Sequence, residues 1–258
     1  MVSVCTVGVG KCCPDEEQRR VIPLLQQNTT NLIRVGILAL PISGLLALVG
    51  LIVNYNVPDP RVDPRAAAQV LSSTGYFVSQ FVGNVLGFTL LIFGVIALTA
   101  YLATTSVKGL ALGAMVLSLV GIALILSVSG VAAYALPVIG RAYLDGQQDV
   151  IDLGGQQGAR GIVVAILGSP AREIFILVFF LYSAGFILFG IAVWRSGVLR
   201  KGTALPLALH APLFSSFIHP HPNWASILGA LLFILGSGLI ALGVFRGPSL
   251  RRVETREE

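Results

Sequence analysis

Charge is the scarcest ingredient of this sequence: Asp, Glu, Lys and Arg make up 11% of its 258 residues, against about 25% in a soluble globular chain. With 55% of the chain hydrophobic, a water-soluble fold of this length has too little interior to hide the apolar side chains, so lipid must cover many of them. Cysteine is nearly absent. Cys5, Cys12 and Cys13 all precede the first apolar run, and an odd count on one short arm argues against a disulfide framework. No histidine or further cysteine stands near Cys12 and Cys13 to complete a metal site. The pattern of a basic stretch, short apolar core and small-residue cleavage site is also missing, so the first apolar run is expected to remain as an anchor. Gly154-Gly155-Gln156-Gln157-Gly158 lacks the lysine and hydroxyl residue of a phosphate loop.

What the chain does have is long uncharged runs separated by short charged clusters, with a mean hydropathy of +0.86. Since about 20 helical residues cross the roughly 30 Å of hydrocarbon, the runs predict an all-α, polytopic transmembrane bundle of six spans, at about 32–54, 76–103, 109–137, 173–194, 203–218 and 224–245. Residues 1–31 form an arm and 246–258 a tail. The loop between the second and third spans is short enough to force an antiparallel helical hairpin. The fifth span is the exception. It is short, holds Pro206, His210 and Pro212, and runs into His219-Pro220-His221-Pro222, so a short or broken crossing is expected there. In the loop 55–75, Asp63 as N-cap with Pro64 behind it predicts a helix from Arg65 toward Ser73. The loop 138–172 contains an apolar piece, 161–168, too short to span. It is either a re-entrant segment or a lead-in to the fourth span.

Basic residues orient the bundle. With the amino end inside, the cytoplasmic face receives Lys11, Arg19, Arg20, Arg34, Lys108, Arg195, Arg200, Lys201, Arg246, Arg251, Arg252 and Arg256. The outer face receives only Arg61, Arg65, Arg141, Arg160 and Arg172. This twelve-to-five asymmetry is that of the positive-inside rule, and it puts both termini in the cytoplasm. The net charge of +5 is accounted for in the same way. Because the basic residues flank spans rather than forming one patch, no nucleic-acid partner is expected.

Ionisable groups inside spans are functional candidates by default, because burying them is costly. Spans one, two, three and six hold no Asp, Glu, Lys or His in their central stretches, which weighs against an ion-coupled carrier. His210, near the middle of the fifth span, is the exception. It reads either as a hydrogen-bonded structural histidine or as a binding or proton-handling group, and alone it cannot supply two axial ligands to haem. Gln80 and Asn84, four apart on one helix face, either bond across helices or line a small polar pocket. At the outer end, His219 and His221 are a weak metal candidate, which Asp145, Asp149 or Asp152 would have to complete. Arg172 and Glu173 open the fourth span, where an anchoring role to lipid phosphate or the helix terminus is expected. Tyr76, Tyr134 and Tyr143 fit an outer aromatic belt. Glycines at close-packing spacing, Gly83 with Gly87, Gly109 with Gly113, and Gly236 with Gly238 and Gly243 nearby, mark possible helix contacts.

The segment Trp194-Arg195-Ser196-Gly197-Val198-Leu199, followed by a proline-interrupted apolar stretch and by Gly229, Gly236 and Gly243, resembles a class of small bacterial six-helix membrane proteins of unknown function, best over the carboxy-terminal half. The resemblance implies a bacterial cytoplasmic membrane and supplies no catalytic residues; His219-Pro220-His221-Pro222 departs from it. The leading expectation is a non-enzymatic scaffold binding lipid or a small molecule, or an accessory subunit, with membrane lipids and a membrane-protein partner or second copy around it. A small-solute permease needs a continuous polar route, for which Gln80, Asn84 and His210 are the starting points. An intramembrane enzyme using His210 is the remaining alternative. The sequence specifies no cofactor.

Overall fold

The computed structural model describes residues 16–55, 57–58, 63–147, 171–214 and 224–246. All regular structure among them is helical. Among the described residues five helical segments are long and apolar enough to cross a membrane: Asn28–Val53, Thr74–Leu102, Lys108–Leu144, Ile176–Ser196 and Trp224–Arg246. The protein is therefore an integral, multi-pass membrane helix bundle.

The first helix, α1, runs Glu16–Tyr55, reaching back into the stretch read as an arm. A short α2, Pro64–Leu71, has Asp63 at its N-cap, the carboxylate accepting the Ala66 N–H at 2.9 Å. This is the cap that the Asp63-Pro64 pair predicts. Helix α3, Thr74–Ser79, passes through a π-helical stretch, Gln80–Leu86, into α4, Gly87–Leu102. At the end of α4 the Thr104 and Thr105 hydroxyls donate to the Tyr101 and Leu102 carbonyls at 2.8 and 2.7 Å, satisfying acceptors that the helix leaves open. The chain then reverses at once into α5, Lys108–Leu144, giving the expected hairpin.

At 37 residues, α5 is about 55 Å long, and it continues past the expected end at Pro137. Proline removes one hydrogen bond and does not by itself stop a packed helix. The final two turns hold because α2 lies against them. Ile139 and Gly140 are buried, and a methyl on Gly140 would lie 2.9 Å from the Ala68 carbonyl oxygen. After α6, Ala171–Ser196, a 3-10 turn at Lys201–Thr203 leads into α7, Ala204–Phe214, and α8 spans Trp224–Arg246. With 11 residues, α7 is about 16 Å long.

Each long helix packs on its neighbours in chain order, α1 on α4, α4 on α5, α5 on α6, α6 on α7 and α7 on α8, and α8 returns to α1. The result is a closed ring. Spans apolar on nearly every side cannot drive such pairing by hydrophobicity in lipid, so close backbone approach has to supply it. One close backbone approach joins α1 to the π-helical stretch. A methyl on Gly83 would stand 2.7 Å from the Gly50 nitrogen and 3.0 Å from the Leu46 carbonyl oxygen. On the opposite side of the ring a methyl on Gly121 would meet the Tyr182 backbone at 2.8 Å. The Gly109 and Gly113 pair behaves otherwise. Nothing lies within 4 Å of a methyl at either, so their spacing serves no contact among the described residues.

Along α8, Gly229 approaches His210, Leu213 and Phe214, Gly236 approaches Pro206 and Leu207, and Gly243 approaches Leu199. The descending order makes α7 and α8 antiparallel. Contacts of Gly44 with Phe233, Gly87 with Ser43, Gly121 with Tyr182, and Tyr182 with His210 set all of these at one level. Phe233 lies nine residues inside α8, about 14 Å from its start, so this level is close to the middle of the bundle.

Candidate functional site

His210 stands at that middle level, inside the ring. The buried positions of α7, Ala204, Leu207, His210 and Ala211, recur at helical spacing and turn one face inward. His210 is 1% exposed and Tyr182, opposite it on α6, is 3% exposed. The imidazole Nδ1 lies 2.6 Å from the Leu207 carbonyl oxygen, which can only accept, so Nδ1 carries the proton. In the neutral ring Nε2 is then an acceptor, and the Tyr182 hydroxyl donates to it at 3.2 Å. Both nitrogens are thus engaged within the protein.

Aromatic rings enclose this pair. Phe186 and Phe233 each stand 4.6 Å from the imidazole centroid, the first edge-on at 81°, and Phe186 lies 4.8 Å from Tyr182. Phe214 packs between Tyr182 and Phe88 at 6.4 Å from each. These rings leave a cavity of 20 Å³ bordered by Ser43, Gly87, Phe88, Tyr182, His210 and Phe233 among others. A volume of that size holds about one water molecule. Ser43, the polar residue that α1 contributes, already donates to the Leu40 carbonyl at 2.7 Å.

The other sequence candidates lie elsewhere. Gln80 is buried within the π-helical stretch, where its amide oxygen accepts from Asn84 Nδ2 and its side chain also bonds to Tyr76. Tyr76 is accordingly buried on this cluster rather than set in a lipid-facing belt, whereas Tyr134 is exposed beside Phe77 and Phe81. Neither Gln80 nor Asn84 borders the cavity beside His210. Asp145 is exposed at the C-terminus of α5. Arg172 and Glu173 fall in the first turn of α6. Asp149, Asp152, His219, His221, the piece 161–168 and the three cysteines lie outside the described residues. Among the described residues no three His, Cys, Asp or Glu side chains are grouped closely enough to hold a metal ion.

Tyr182 is the site residue that sequence reasoning passed over. Its signal was available, since a tyrosine in the middle of an apolar span departs from the interfacial placement that the residue prefers. Ser43 and Ser118 carry a weaker form of it. The Ser118 hydroxyl is fully buried against Gly185 with no hydrogen-bond partner among the described residues. Comparison with protein-family models, with curated proteins and with solved structures finds no match.

Proposed function

We propose that the protein is a non-catalytic scaffold or accessory subunit of a bacterial cytoplasmic membrane, crossing it six times with both termini in the cytoplasm. It binds lipid and protein partners on its outer surface and passes no solute through its interior. The observation that carries this reading is how little space is left at the centre of the ring. The cavity there measures 20 Å³, whereas sites for small molecules occupy about 300–1,000 Å³. The polar groups nearest to it, those of Ser43, Tyr182 and His210, bond to one another or to backbone. Purified protein in liposomes is expected to leave glycerol and urea permeation, followed by stopped-flow light scattering, at the rate of protein-free vesicles. A several-fold acceleration that disappears on closing the cavity with Ala230→Leu, at another residue that borders it, would replace the scaffold by a permease.

Six crossings are supported by the direction of the last helices. Helix α6 ends at Ser196, and α8 ends beside Leu199, since Gly243 lies against it. Two helices that finish at the same end require the chain to return between them. The return falls to α7 and the residues after it. The orientation is supported by Arg34, Lys108, Arg195, Arg200, Lys201 and Arg246 at one end of the bundle, against Arg65 and Arg141 at the other. In a chain freed of its native cysteines, Trp224→Cys is expected to react with an impermeant maleimide on intact cells and Val198→Cys only after lysis. Equal labelling of the two from one side would reduce the count to five.

A further inference from the structure

The turn that joins α6 to α7 is pinned at three points. Gly197 has a φ of +68°, a left-handed conformation that glycine adopts without strain. Leu199 is buried against Gly243 of α8. Buried Thr203 donates both its hydroxyl and its N–H to the Arg200 carbonyl, at 2.8 and 2.9 Å. Just before these anchors the chain presents Arg195 and between them Arg200 and Lys201 to the outside, and the contact at Gly243 brings in Arg246, which is also exposed. Lys201 Nζ stands 5.8 Å from the centroid of the exposed Trp194 ring. Exposed Val198, Leu205 and Phe245 supply an apolar flank.

Among the described residues none of these four cations pairs with a carboxylate. The carboxylate side chains described are those of Asp63 and Asp145, and both lie at the opposite end, beside Arg65 and Arg141. At this end of the bundle Arg195, Arg200, Lys201 and Arg246 are exposed around the exposed Trp194 ring, with no carboxylate partner among the described residues. From this we infer that the α6–α7 turn is a docking site for the headgroup of an anionic phospholipid. Its phosphate lies among Arg195, Arg200 and Lys201, and its acyl chains lie along Val198 and Leu205. Tryptophan belongs at headgroup depth, guanidinium groups take phosphate oxygens in pairs, and a turn already held in place loses little freedom on binding.

The inference rests on the lipid-binding part of the proposed function. The glycerol and urea measurement reads the closed interior and is indifferent to headgroups, so the two fail separately. In a Trp224→Phe background, Trp194 fluorescence of the full chain in uncharged detergent is titrated with brominated phosphatidylglycerol and brominated phosphatidylcholine. Half-quenching is expected at far lower phosphatidylglycerol, with a preference on the order of a hundredfold that Arg195→Gln/Arg200→Gln/Lys201→Gln abolishes. Single Lys201→Gln is expected to lose part of that preference, and Arg65→Gln/Arg141→Gln none of it. Equal quenching by the two lipids, or an unaltered preference in the triple variant, would overturn the site. Displacement by inorganic phosphate at the same concentration would assign the cluster to free phosphate instead.

Discussion

His210→Ala is expected to lower the unfolding free energy by about 3–5 kcal/mol, the range of large-to-small changes at fully packed ring positions. Two losses combine. The imidazole makes its contacts with Phe186 and Phe233 at 4.6 Å, and its removal enlarges a cavity that already measures 20 Å³. It also leaves the Tyr182 hydroxyl without its acceptor in a site 3% exposed. Tyr182→Phe isolates the second effect. It keeps the ring and strands only the Nε2 acceptor, at a cost of about 1–3 kcal/mol. Replacing both partners with apolar groups of similar size, Tyr182→Phe with His210→Leu, is expected to be less harmful than the sum of the separate changes, because neither polar atom is then left alone. Unfolding in detergent micelles by denaturant checks each of these, with His210→Leu alone completing the comparison. A loss below about 1 kcal/mol for His210→Ala, the range of surface substitutions, would mean that the imidazole is not part of the packed centre.

The second large effect belongs to Gly83. Its added methyl meets backbone at 2.7 Å, and backbone cannot rotate aside as the end of a side chain can. Gly83→Val therefore has to part α1 from the π-helical stretch, costing about 3 kcal/mol, the upper end for overpacked sites. Gly83→Ala follows in the same direction with a smaller loss. Gly113→Ala is the control, since a methyl there meets nothing within 4 Å. It should leave stability unchanged or raise it by up to about 1 kcal/mol through helix propensity. Thermal unfolding of the three variants ranks them directly. Equal melting temperatures for Gly83→Val and the native chain would show that α1 and the π-helical stretch do not meet at Gly50.

These two sites also mark where sequence reading succeeds and where it stops. Apolar length locates the long spans because crossing hydrocarbon imposes a length on each helix alone. Asp63 and Pro64 locate α2 because capping is local chemistry. The identity of neighbouring helices is not local. A span apolar on all sides shows no preferred face, so the spacing of Gly109 and Gly113 looks as promising in sequence as that of Gly83 and Gly87, yet only the latter pair meets another helix. Pro137 misleads for the same reason. Its effect depends on α2, which holds the end of α5 and comes from a distant part of the chain. At the centre, His210 was visible as the lone deep histidine. Its partner Tyr182 lies 28 positions away, and only the packing of α6 on α7 pairs them.

The ring has a seam. Among the described residues, five of the six joints form between ring helices taken in chain order, and the sixth, α8 on α1, links the last of them to the first. During synthesis each new helix finds its neighbour already in place. Until α8 emerges, however, α1 keeps one flank open to lipid, and Phe233 is not yet there to cover His210. The final 23-residue helix thus acts as the latch of the assembly, and a ribosome that stalls before it leaves behind an open, C-shaped intermediate.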